Sequence, residues 1–329
     1  MKNNGFRDVR IDNLRALAII TVVLGHSMIL YSSEWGLYQT TQASVFFDRC
    51  KRVINLYQMP LFLSLSGYLY ARTAERDTFR KLLGKKLPRL LVPYFVIGLF
   101  YMIPIKLLAG YPPYQGEPAS NAVLGFLTGR DVGHLWYLPV LLVIFLCSFL
   151  LVRLFGNRKL TWGIACLLGL VLAVFRKRLP IGSIPCAAYF AQFSWSFFFG
   201  ALLFHTKIFW EKAASRKTVI LAVTVCAVLG VLAALYMKLE PLRILSGSLI
   251  VLALYMIAPN RSAVIADRIS KASFGLYLLH SPLIYVTFAV LLHAPPVIVF
   301  GVNAAVWGGL AYLATLLLSR TPLKLIIGD

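Results

Sequence analysis

The stretch Ile11-Asp12-Asn13-Leu14-Arg15-Ala16-Leu17-Ala18-Ile19-Ile20-Thr21-Val22-Val23-Leu24-Gly25-His26-Ser27 decides how this chain must fold. A helix needs about 20 apolar residues to cross a bilayer, and the predicted span runs over 13–32. Asp12 and Arg15 stand at its entrance and a histidine lies deep inside it. It is too long for a cleaved leader, it carries His26, and no small-x-small cleavage pattern is present. Residues 12, 15, 19, 22 and 26 recur at helical spacing on one face. Asp12 and Arg15, three apart, are placed to pair. Arg15 and His26, eleven apart, share the face but stand about 16 Å apart along the axis, at about 1.5 Å per residue. Such a stripe offers a charged group at the membrane rim and an imidazole inside. The plainer alternative makes Asp12 and Arg15 a topology anchor and His26 a core histidine.

The rest of the chain continues the apolar theme. Of its 329 residues 59% are hydrophobic and 14% charged, against about 45–50% and about 25% in soluble domains. That balance excludes a soluble fold, a disordered chain, collagen and a disulfide scaffold. Beyond the first span, nine more are predicted at roughly 53–71, 90–109, 135–152, 160–175, 186–206, 218–237, 242–258, 272–292 and 297–318. The expected fold is an all-α polytopic membrane protein, a bundle of about ten transmembrane helices.

The net charge of +21 would suggest a nucleic-acid partner in a soluble protein. In a membrane protein, Lys and Arg gather in cytoplasmic loops, so no nucleic acid is expected. With both termini cytoplasmic, 23 of the 33 basic residues fall on the inner side. Arg176-Lys177-Arg178 is the outer loop that runs against this trend. The five cysteines show no CxxC and no metal spacing, and no metal is expected. The longest loop, about 107–133, is rich in Pro and Gly and reads as an outer loop that partly lids the bundle. No solenoid repeat is visible, nor the paired broken spans of inverted-repeat transporters.

Charges inside hydrocarbon are expensive and point to function. All twelve acidic residues fall in loops or at span ends, which weakens a proton- or sodium-coupled carrier. Histidine is the remaining titratable type: His26 lies deep in span 1 and His280 in span 9, where it reads as a packed helix histidine. His134 opens span 4. The most basic stretch, Arg80-Lys81-Leu82-Leu83-Gly84-Lys85-Lys86-Leu87-Pro88-Arg89, precedes span 3. It is either a lipid-facing anchor or a phosphate clamp in which Lys86 acts as a point charge and Arg89 as a two-pronged donor.

These segments, in this order, resemble the acyltransferase-3 family of integral membrane acyltransferases. The most specific part is Ile11-Asp12-x-Leu14-Arg15-x-Leu17-Ala18 followed by His26. Met59-Pro60-Leu61-Phe62…Ser66-Gly67-Tyr68, His134-Leu135-Trp136-Tyr137-Leu138, Ser273…Tyr277-Leu278-Leu279-His280 and Lys86-x-x-Arg89 look like its later blocks. Two positions depart from the pattern: Lys86 where many relatives have arginine, and Gln58 where many have histidine.

The resemblance implies one transmembrane acyltransferase domain over residues 1–329, of the stand-alone type. It implies transfer of an acyl group, commonly acetyl, from acyl-CoA to a hydroxyl of an envelope glycan or glycolipid. No tightly bound cofactor is expected; acyl-CoA is the donor substrate. His26 would be the general base, supported by Arg15 and Asp12, with Arg15, Lys86 and Arg89 holding the donor's phosphates. His134, Ser66 and Trp136 would meet the acceptor or the tetrahedral intermediate. A bacterial-type inner membrane is implied, membrane lipid is a partner, and a homodimer stays open. Two readings compete with the enzyme: a sugar or lipid carrier, and a non-enzymatic partner in an envelope complex whose stripe would reach no cavity.

Overall fold

The computed structural model describes residues 8–38, 40, 42–181, 184–237, 239–261 and 263–328. Ten helical rods cover the ten expected spans: α1 (Val9–Ser27), α2 (Val45–Ala71), α3 (Phe79–Leu108), α4 (Gly133–Phe155), α5 (Lys159–Phe175), α6 (Pro185–His205), α7 (Lys217–Met237), α8 (Glu240–Ile257), α9 (Val264–Leu291) and α10 (Pro296–Leu318). No strand occurs among the described residues. From α3 to α10, eight are long and apolar enough to cross a membrane. α1 and α2 fall short because they carry the polar residues, Asp12, Arg15 and His26 on one and Lys51, Asn55 and Gln58 on the other. Packing accounts for this: α1 lies between α2 and α9, and α2 also meets α6 and α8. By contrast α7 turns Leu221, Val225, Val228 and Leu229 outward. The protein is an all-α polytopic membrane protein.

Several helices begin well before the apolar runs that announced them. α2 starts at Val45 rather than 53, and α3 at Phe79 rather than 90. An apolar run measures hydrocarbon, whereas the backbone keeps bonding to itself beyond it. Side-chain caps set these starts: Ser44 Oγ accepts from the Phe47 N–H at 3.3 Å and Thr78 Oγ1 from Lys81 at 3.3 Å. Pro185 and Pro296 open α6 and α10, where a missing N–H does no harm.

α2 and α6 approach through two glycines. A Cβ on Gly67 would stand 1.9 Å from the Phe197 carbonyl oxygen, and one on Gly200 1.8 Å from that of Ser64. Small residues allow such backbone contact inside a membrane. The long loop after α3 is pinned. Its short helix Ala119–Leu127 buries Phe126 completely against Tyr94, ring on ring at 4.6 Å. Lys106, fully buried, pairs with Asp131 at 2.7 Å, and the Tyr114 hydroxyl donates to the same carboxylate.

Ile327 lines the same cavity as Arg15, Lys86 and Arg89, and Gly328 packs against Phe274 of α9 and the Arg89 carbonyl of α3. Asp8 precedes α1 and pairs with Lys207 at 2.9 Å. Burial pushes its carboxyl up, but the lysine outweighs this and holds it below the usual range. At the other end of the bundle Arg176 pairs with Glu240 at 2.9 Å and Arg243 with Glu34 at 3.2 Å. The Arg176 loop thus lines a different cavity from the Lys86–Arg89 cluster.

Candidate active site

The site begins with a proline. Pro282 has no N–H, so the carbonyl of Leu278, four residues earlier in α9, loses its helical donor. His134, at the start of α4, takes that place with Nε2 at 3.1 Å. The Tyr277 hydroxyl, one position before Leu278, donates to the His134 carbonyl. α9 and the entry of α4 are thereby tied across the bundle.

His280 occupies the same turn and meets His26. Its Nδ1 is 2.8 Å from the Leu276 carbonyl oxygen. A carbonyl only accepts, so Nδ1 carries the proton and Nε2 the lone pair. That Nε2 lies 3.1 Å from His26 Nδ1, which must therefore donate. The Val22 carbonyl, 3.1 Å from the same His26 nitrogen, requires the same tautomer. His26 is left with its lone pair on Nε2, the atom a general base needs free. The His26 and His280 rings stand 5.0 Å apart, and His280 and His134 5.9 Å.

Two cavities reach this region from opposite ends of the bundle, and a third, of about 320 Å³, also touches His26, His134 and Trp136. One, of about 420 Å³, is lined by His26, Lys51, Gln58, His134 and Trp136, with the Arg176–Glu240 and Arg243–Glu34 pairs also in its wall. Trp136 stacks on Tyr189 at 4.4 Å and on Phe193 at 5.0 Å, giving this cavity an aromatic wall. The other, of about 340 Å³, is lined by Arg15, Ser66, Lys86, Arg89, Tyr137 and Ser270. Met59 and Tyr277 line both, and among the described residues only these side chains are common to the two walls.

The residues singled out in the sequence divide between the cavities, except Asp12, which lines neither. Arg15 and Asp12 pair at 3.7 Å, and Ser270 donates to Asp12 at 3.3 Å. Lys86 stands over the Phe145 ring at 4.0 Å and Arg89 over Phe274 at 5.9 Å. His134 and Trp136 share the cavity of His26. Ser66 does not; it lines the basic cavity, 3.2 Å from the Tyr137 hydroxyl.

Three residues escaped the sequence reading: His280 as the partner of His26, Tyr277 in the dividing wall, and Lys51. The proline two positions after His280 was the available signal for the first two. For Lys51 it was the spacing Lys51, Asn55, Gln58, which is i, i+4, i+7 on one face of α2.

A family model for an acyltransferase domain, Acyl_transf_3, matches residues 8–320. Nodulation protein NolL of Sinorhizobium fredii is 32% identical over 179 residues, covering 53% of this chain and 44% of its own length. NolL of Mesorhizobium japonicum is 25% identical over 210 residues, covering 62% of this chain and 50% of its own. The chain thus spans about half the length of these relatives. No solved structure matches it. Arginine and histidine eleven residues apart on α1, the paired basic residues on α3 and a match over nearly the whole chain agree: the chain belongs to the Acyl_transf_3 acyltransferase family.

Proposed function

We propose that the protein is an O-acyltransferase of a bacterial-type inner membrane. It takes an acyl group, most simply acetyl, from acyl-CoA held in the basic cavity and passes it to a hydroxyl of an envelope glycan or glycolipid held in the His26 cavity. The observation that carries this reading is the shared wall. His26 lies in one cavity, Arg15, Lys86 and Arg89 lie in the other, and Met59 and Tyr277 belong to both. The excess of basic residues around the second cavity supports reading it as the cytoplasmic one. A soluble donor can then serve an acceptor at the opposite face without crossing.

The chemistry follows from the tautomer. A hydroxyl is a poor nucleophile until a base removes its proton as it attacks. His26 Nε2 takes that proton while the hydroxyl oxygen forms a bond to the thioester carbonyl carbon. The tetrahedral intermediate then expels the coenzyme's sulfur as the carbon–sulfur bond breaks. The sulfur recovers the proton from His26, and the ring returns to its starting state. His280 accepts the His26 Nδ1 hydrogen throughout and so steadies the imidazolium. At the other end Arg15, Lys86 and Arg89 attract the donor's phosphates. Met59, unbranched and adaptable, is the side chain best suited to yield to a slender pantetheine arm.

The test is His26→Ala in membranes supplied with radiolabelled acetyl-CoA. Incorporation into envelope glycans should fall by about 10²–10⁴-fold, the usual contribution of a positioned base, while the variant inserts at the normal level. Wild-type incorporation by the inserted variant would overturn the assignment.

A further inference from the structure

We propose that Lys51 forms an anion subsite in the His26 cavity, and that the acceptor carries a carboxylate or phosphate close to the hydroxyl that is acylated. The proposal rests on the acyl-transfer reading above and narrows its acceptor.

Lys51 sits on α2, two turns before Gln58, and is only 5% exposed. Its Nζ lies 3.4 Å from the point where a Cβ on Gly25 would stand, so the ammonium lies against the α1 backbone next to His26. Among the described residues no carboxylate lies within ion-pair distance of it and it donates no hydrogen bond, unlike the other cations nearby. Arg176 has Glu240 and Arg243 has Glu34. Lys106, the other buried lysine of this region, has Asp131 at 2.7 Å and the Tyr111 ring at 4.2 Å. Glu34, on the same cavity wall, attracts this ammonium but is already paired with Arg243 at 3.2 Å. A largely buried ammonium without a direct partner is unfavourable, and a ligand that brings a charge into contact with it recovers energy on binding. The cavity therefore favours an anion at that place over a neutral group.

The surroundings suit a charged sugar. Gln58 Oε1 is buried with no donor, although its Nε2 donates to Asn55 Oδ1 at 2.9 Å. It is an unpartnered acceptor on a residue that lines the cavity. Trp136, backed by Tyr189 and Phe193, presents an aromatic face to the same space. Gly25 keeps the corner open: a Cβ there would meet Gln58 Oε1 at 2.8 Å and Ile54 at 3.0 Å. Cation, acceptor and ring face together match a sugar bearing an acid group, with His26 beside it.

Binding of three probes to the full chain in lipid nanodiscs tests the proposal: glucuronate, glucose 1-phosphate and uncharged glucose. At least one anionic sugar should bind tenfold or more tightly than glucose, and which one does separates a carboxylate from a phosphate acceptor. Lys51→Gln should erase the preference and Lys51→Arg should keep part of it, with coenzyme A affinity unchanged in both as proof of folding. Equal binding of all three probes, no binding of either anionic sugar, or an intact preference in Lys51→Gln overturns the subsite. Failure of the parent reading looks different: His26→Ala would retain acyl transfer while the Lys51-dependent preference persisted.

Discussion

His280 has a proton on Nδ1 because the Leu276 carbonyl faces that atom at 2.8 Å, and the basic atom of His26 is set through that contact. His280→Ala removes the acceptor of the His26 Nδ1 hydrogen. The Val22 carbonyl remains, so the ring stays in place but loses the group that steadies its charged form. We expect acyl transfer to fall about 10- to 100-fold, the range for losing a partner behind a working histidine, with donor KM unchanged. His280→Gln, whose amide oxygen can accept the same hydrogen, should recover part of the rate and restore the acid limb of the pH–rate profile. Equal rates and profiles for Ala and Gln would reduce His280 to a packing residue. The Arg15–His26 spacing was legible in the sequence because both residues lie on one helix. Its partner was not, because the contact joins positions 254 apart and nothing in local periodicity registers such a pair.

At the scale of elements, the crossing of α2 and α6 holds the wall between the cavities, since α2 carries Met59. Gly200 touches the backbone of Ser64 and has no side chain to yield. Gly200→Ala must therefore push the helices apart, and overpacking of this kind costs about 1–3 kcal/mol. Gly163, on α5, has nothing within 4 Å of the same added atom, so Gly163→Ala should be neutral or stabilising through helix propensity. Thermal unfolding midpoints in detergent compare the two directly; equal midpoints would mean the helices can separate freely. All ten rods were legible as apolar runs, yet their starts were not. The eight residues between the true and expected starts of α2 hide Lys51, which an apolar window leaves in a loop. The same window could not find Lys106 paired with Asp131, because the carboxylate arrives from a loop that only the fold brings back.

Across the whole molecule, charge is divided between the ends. Basic residues gather around the cavity of Arg15, Lys86 and Arg89, where Lys86 and Arg89 rest over the Phe145 and Phe274 rings instead of an acid. Aromatic faces hold a cation in place without neutralising it, so both remain available to an incoming phosphate. The opposite end pairs its arginines with Glu34 and Glu240. On the proposed reading a polyanionic donor is favoured at the Lys86–Arg89 end, while the other cavity offers an anion Lys51 in place of paired arginines. Lys86→Ala with Arg89→Ala should weaken coenzyme A binding by tenfold or more, since one charge-assisted hydrogen bond is worth about 1.5–3 kcal/mol and about 1.4 kcal/mol is tenfold. The loss should shrink as salt is raised, because exposed charges are screened within about 10 Å at 0.1 M. Calorimetric titration of the purified double variant decides the matter: wild-type affinity at low salt would remove this pair from the donor site and leave the basic end to lipid anchoring alone.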